Sequence, residues 1–160
     1  EKVPEATLAL MGDGIERIEL ERRAARIPNV HVLLAVDQSS VAEYLAAADV
    51  LVVSLKDTAL LRVTMPSKMQ VCLRAGRPVL VHGAGDAADL IQATGAGATA
   101  APGDAAAIIA AISRLTTAPS GQLASMGSAA RTCYEKHFTP EVGARRLETM
   151  LMNAQKDGRR

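Results

Sequence analysis

Thr64-Met65-Pro66-Ser67-Lys68 gathers the most chemistry into the fewest residues of this chain. Proline favours the first position of a helix, because its φ is already helical and its missing N–H would have had no partner there. The N-cap is then expected at Thr64 or Met65, with the free N–H groups after Pro66 pointing out of the helix start. Such donors, together with the positive end of the helix dipole, suit an anion. Lys68 adds a full positive charge to the same first turn, where it opposes the dipole. An anionic ligand gives that charge a purpose. The plainer alternative is a solvated lysine at a helix start.

Other groups carry weaker signals. Gly12-Asp13-Gly14 follows an apolar run and would let a nucleotide come close to the backbone, but it lacks the third glycine of the dinucleotide fingerprint. A tight turn is its simpler reading. No glycine-rich loop ends in Lys-Ser or Lys-Thr, so a P-loop is excluded. His82 ends an apolar run and is the one histidine to test as a ligand. His31 alternates with Val30 and Val32 as a packed or edge residue would, and a dipole contact near a helix end accounts for His137. Asp49, Asp57, Asp86 and Asp89 lack the close spacing of a metal cluster, so no metal is expected; nor is a cofactor. Ser67 has no histidine near it in sequence to activate it. Arg17, Arg22, Arg23 and Arg26 alternate with Glu16, Glu19 and Glu21 as a solvated helix face with i,i+4 pairs.

Composition narrows the field. A chain of 160 residues is one domain by length, and 49% of it is apolar, enough for a substantial core. Only Tyr44, Tyr134 and Phe138 are aromatic, so the core is built from Ala, Leu, Val and Ile. A net charge of +1 and so few stacking rings argue against a nucleic-acid partner. Cys72 and Cys133 lack metal-ligand spacing. Cys72 reads as a small buried hydrophobe, and the pair favours a reducing compartment. No apolar run reaches membrane-spanning length, and no signal peptide opens the chain.

The elements that must position these groups alternate. Strands are expected over residues 6–11, 30–36, 50–53, 78–81 and, weakly, 98–101. Helices are expected over 15–27 with one buried stripe, after an Asp37 or Ser39 cap, from Pro66, over 87–93, over 104–115 from an Asp104 cap, and over 121–137 and 140–155. Residues 54–65 are expected to be a long loop. This order predicts an α/β fold: a Rossmann-like parallel sheet with helices on both faces and right-handed crossovers. Ligands of such sheets bind beyond the carboxyl ends of the strands, where the loops 12–14, 36–39, 54–65 and 82–86 converge.

Taken together the motifs say more than each alone. Leu10-x-Gly12-Asp13-Gly14, the run from Leu45 through Asp49 to Val53, Leu55-Lys56-Asp57, Pro66-Ser67-Lys68 and Gly76-Arg77-Pro78-Val79 succeed one another at characteristic intervals. From about residue 6 to 151 the chain resembles the C-terminal, donor-binding half of a retaining GT-B glycosyltransferase of group 1. It is most similar to the Pro-Ser-Lys branch that builds bacterial surface polysaccharides. The resemblance implies a nucleotide-sugar-binding domain over residues 1–160, lacking its first βα unit, with the acceptor domain upstream and absent. It implies transfer of a sugar from a nucleoside diphosphate, UDP first among them, to a glycan or lipid-linked acceptor bound by that missing domain.

Residue by residue, Thr64, Met65, Pro66, Ser67 and Lys68 would hold the donor diphosphate, with Lys68 catalytic. Gly12, Asp13, Gly14, Ala35, Val36 and Asp37 would line the nucleotide cleft. Val71 stands where the family usually has the glutamate that holds the ribose, and its neighbour Gln70 replaces an apolar residue; Gln70 either takes over that contact or it is missing. The last helix would return across the hinge on Leu147, Met150, Leu151 and Ala154, unless these pack on the domain's own core. The fragment alone is expected to be inactive, and the whole protein cytoplasmic, with room for peripheral attachment at the inner membrane face. The rivals are a degenerate, non-catalytic module of the same fold, which Val71 favours, and a receiver-like regulatory domain. The receiver needs acidic residues at the ends of the first and third strands, whereas Asp49 precedes its strand.

Overall fold

A computed structural model describes residues 3–157 of the chain. Strands β1 (Leu8–Met11), β2 (Val30–Leu33), β3 (Leu51–Ser54), β4 (Val79–His82) and β5 (Gly97–Ala100) alternate with helices α1 (Arg17–Ala24), α2 (Val41–Ala47), α3 (Ala59–Arg62), α4 (Ser67–Ala75) and α5 (Asp86–Thr94). Three further helices follow: α6 (Ala105–Thr116), α7 (Ser120–His137) and α8 (Pro140–Asp157). Every strand pairing is parallel. The α/β class expected from the alternation is the one observed.

The centre is β4, flanked by β3 and β5. Its alternating side chains feed two layers, as a strand covered on both faces requires. Val79 and Val81 pack with Leu51, Val53 and the buried faces of α4, α5 and α7, including Met69, Leu73, Ile91 and Ala130. Leu80 faces the other way, onto Ala98, Ala100 and the α6 residues Ala111 and Leu115. Helix α4 stops at Gly76, whose φ of 68° is the left-handed C-terminal turn that glycine adopts without strain. The first turn of α6 is capped as expected, the Asp104 carboxylate accepting from the Ala107 N–H at 2.9 Å.

Several expectations need correction. The strands do not form one sheet: β1 and β2 pair only with each other, and β3, β4 and β5 make a second sheet. Among the described residues no hydrogen bond joins the β1–α1–β2 unit to the three-stranded sheet. Helix α1 has no buried residue; Ile15 beside it is fully exposed and Ile18 is 81% exposed. The apolar stripe is there in sequence and its C-terminal end, Ala24 and Ile27, is half-buried where α1 meets β2, but its N-terminal end is left uncovered among the described residues. Strand β2 ends at Leu33, so residues 34–36 belong to the loop. The next helix begins after Ser40, with no side-chain cap from Asp37 or Ser39. The expected loop at 54–65 contains α3, a single turn whose Leu61 N–H is accepted by the Thr58 hydroxyl.

Candidate functional site

The carboxyl ends of β3 and β4 lie side by side, with Ser54 opposite His82 in the register. The segment leaving β3 is tied down locally. Arg62 grips Asp57 through two hydrogen bonds of 2.7 and 2.9 Å, a fork-to-fork pair. That guanidinium holds the Asp57 carboxyl below its usual range, chiefly by hydrogen bonding. The Thr64 hydroxyl donates to the Leu60 carbonyl at 2.6 Å, closing the end of α3. The loop after β4 fits against this segment. A Cβ on Gly83 would press on Leu55, and one on Gly85 would fall on the Arg62 backbone. Gly85 also has φ of 82°, which side chains rarely adopt. Only a glycine loop lets β4's exit lie so close to the chain entering α4.

Helix α4 starts one residue later than the proline pattern implies. Pro66 is the N-cap rather than the first helical residue, with φ −65° and ψ 144°, and Ser67 is the first. Its ring fixes φ and leaves ψ free, so proline also fits the extended residue that precedes a helix. No side chain caps this end. The first amide bonded back is that of Met69, to the Pro66 carbonyl at 3.0 Å, while the Ser67 and Lys68 amides have no backbone partner among the described residues. The side chains of Ser67 and Lys68 are exposed, and no described carboxylate pairs with Lys68. Two free amides and an unneutralised ammonium thus share one helical turn. That combination attracts an anion.

The remaining expected residues are distributed as follows. Met65 is half-buried against the core on the α4 side. Gln70 is half-buried, and Val71 is 46% exposed. Val71 is therefore not a core residue; the place where a ribose-binding carboxylate was expected is an apolar spot on the surface. One turn in, Cys72 is buried, as expected, and burial pushes its thiol up to about 11 against a smaller opposite pull from Lys68. Gly12, Asp13 and Gly14 border an open hollow of about 390 Å³ between β1 and the start of α1. There Asp13 lies 3.8 Å from Arg17. Ala35 and Asp37 are exposed and Val36 half-buried in the loop after β2. The structure thus packs the loop after β4 against Leu55 and Arg62, on the chain that leads from β3 to Thr64–Lys68, whereas the nucleotide-cleft candidates lie on the separate two-stranded unit.

One feature of the rim was only half legible. His82 stood out by its place at a strand end, but its partner Ser54, whose Oγ is 3.0 Å from His82 Nδ1, did not. The two are 28 residues apart, and only the β3–β4 register makes them neighbours.

The architecture has known counterparts. Residues 1–118 match the family described as "Glycosyl transferases group 1". Among solved structures, sucrose-phosphate synthase from Thermosynechococcus elongatus superposes with a TM-score of 0.75 at 21% identity, over 94% of this chain and 39% of its own. Anabaena Alr3699/HepE in complex with UDP-glucose gives 0.72 at 20% identity, over 94% of this chain and 43% of its own. WaaG, a glycosyltransferase involved in lipopolysaccharide biosynthesis, gives 0.62 at 17% identity, over 86% and 38%. The chain thus spans about two fifths of the length of the structures it matches, and what they share with it is the GT-B type of α/β fold. Among curated proteins no relative matches.

Proposed function

The chain belongs to the group 1 glycosyl transferases, and on that premise we propose that it is the donor-binding half of a retaining, UDP-sugar-dependent enzyme. The observation that carries this reading is the amino end of α4: the free amides of Ser67 and Lys68 and the unpaired Lys68 ammonium, set beside the exits of β3 and β4. A donor diphosphate lodged there meets preorganised positive groups. When the sugar–phosphate bond breaks, negative charge grows on the departing phosphate oxygens. Groups already aimed at that charge stabilise it without reorganising, and in many enzymes this stabilisation accounts for most of the rate enhancement. Lys68 is the assigned catalytic group, and the Ser67 hydroxyl a further donor. The solved complexes of HepE with UDP-glucose and with UDP make a uridine nucleotide the first ligand to try.

The split sheet supports assigning this chain to one half of a larger enzyme. Doubly wound sheets run in the order 3-2-1-4-5-6. Here β2–β1 and β3–β4–β5 correspond to positions 3-2 and 4-5-6, and position 1 falls between the unpaired edges of β1 and β3. The exposed Ile15 and Ile18 beside β1, and the exposed stripe Leu147, Met150 and Leu151 on α8, fit surfaces covered by further parts of the enzyme. An acceptor, glycan or lipid-linked, then binds on the other domain, and closure of the two excludes water. We place the reaction in the cytoplasm, at or near the inner membrane face. Among the described residues no helix is long and apolar enough to cross a membrane.

Calorimetric titration of UDP into the complete natural protein tests the reading. Saturable binding in the micromolar to low millimolar range is expected. No heat at millimolar UDP would favour the non-catalytic module instead, the alternative that the exposed Val71 supports.

A further inference from the structure

We propose that His82 is an additional donor-site residue, its Nε2 hydrogen-bonding a phosphate oxygen of the bound nucleotide, with Ser54 as the residue that positions it. This rests on the nucleotide-sugar reading above and names a contact within that site. The residue is held through its ring and its backbone. Its Nδ1 lies 3.0 Å from Ser54 Oγ, and its carbonyl accepts the Leu55 N–H at 2.8 Å. The next residue, Gly83, donates to the Ala100 carbonyl at 3.0 Å. Nδ1 is therefore served from within the fold, while Nε2 has no hydrogen-bond partner among the described residues. A ring held through one nitrogen has its direction set in advance, and because the Ser54 hydroxyl can donate to Nδ1, the open Nε2 is able to carry the proton.

Position adds to the case. His82 closes β4 at the sheet edge where ligands of this architecture bind. The loop that follows it rests on Leu55 and Arg62, the same segment that delivers Pro66, Ser67 and Lys68. The open nitrogen therefore sits at the start of the loop that packs on the chain leading into those helix amides. A phosphate oxygen is the acceptor that the neighbouring positive groups would bring there.

Two substitutions separate a ligand contact from a mere pin between strands. Asparagine places its amide near the position of Nδ1, so H82N can keep the Ser54 bond but offers nothing at the distal position. Glutamine reaches the position of Nε2, so H82Q keeps a distal donor. With UDP as the probe and the complete natural protein, H82N should weaken binding by about tenfold or more, as loss of a charge-assisted hydrogen bond implies. H82Q should stay within about threefold of the parent. S54A should weaken binding by a smaller factor, and S54T should restore it. In the unsubstituted protein, the Nε2 resonance of a nitrogen-labelled imidazole should move on adding UDP while Nδ1 moves little. If the parent binds UDP and H82N binds it equally well, His82 is not a contact, although the donor site stands. If both His82 variants fail to fold, the pair is a structural pin and the inference falls. If the parent itself does not bind UDP, both readings fall together.

Discussion

At the scale of single residues, charge placed against structural preference marks the site. Lys68 stands at the wrong end of a helix for the dipole, is exposed, and has no carboxylate partner among the described residues. The arginines of α1 contrast with it, since each of Arg17, Arg22 and Arg23 has a glutamate within 2.8 Å. Lys68→Ala should lower UDP affinity roughly tenfold to a hundredfold while leaving the thermal midpoint nearly unchanged. Titration calorimetry beside a melting curve reads both. Glu19 gives a prediction of a different kind. Hydrogen bonds from Arg22 and then Arg23 pull its carboxyl down to about 2. A lowered folded-state value means that the pairing is present above the ordinary carboxylate range and is lost as pH falls through about 2. Carboxyl carbon shifts followed from pH 6 to 1.5 should show Glu19 titrating well below the ordinary glutamate range; a midpoint near 4.5 would remove the pairing in solution.

At the scale of elements, close backbone approach does the positioning. A Cβ on Gly127 of α7 would fall on the Gly76 carbonyl at the end of α4. The same junction is held by Arg131, which donates to the Arg74 carbonyl at 2.9 Å. Alanine favours a helix over glycine by about 1 kcal/mol, yet Gly127→Ala should destabilise by about 1–3 kcal/mol net, because the two helices must separate. Urea unfolding measures the sign. Gly85→Ala, facing the Arg62 backbone at φ of 82°, should instead disturb the approach of α3 to the rim and weaken UDP binding along with stability. These contacts also show what the sequence discloses. Helices α4, α6 and α7 and the Asp104 cap were legible because their start signals, Pro66 and Asp104 among them, are local in sequence. Helix α3 was not, since four residues carry no period and its Thr58 cap only closes a short polar stretch, Lys56-Asp57-Thr58. Pro66 was placed one position off, because proline fits either side of a helix start. Ser54 was missed because its partner comes from another strand.

At the scale of the whole molecule, alternation announced a parallel α/β sheet but not which strands pair. Short apolar runs look alike whether or not their neighbour is present, so the division between β1–β2 and β3–β4–β5 emerges only in three dimensions. The rims of β1 and β3 carry amides and carbonyls that bond to no other strand among the described residues. Backbone of this kind recruits any extended peptide that reaches it, including another molecule of the same sort. Made as a 160-residue polypeptide, the protein should therefore be concentration-dependent in its behaviour. It should elute alone when dilute and grow in light scattering as it is concentrated, and a short synthetic strand added in excess should suppress that growth.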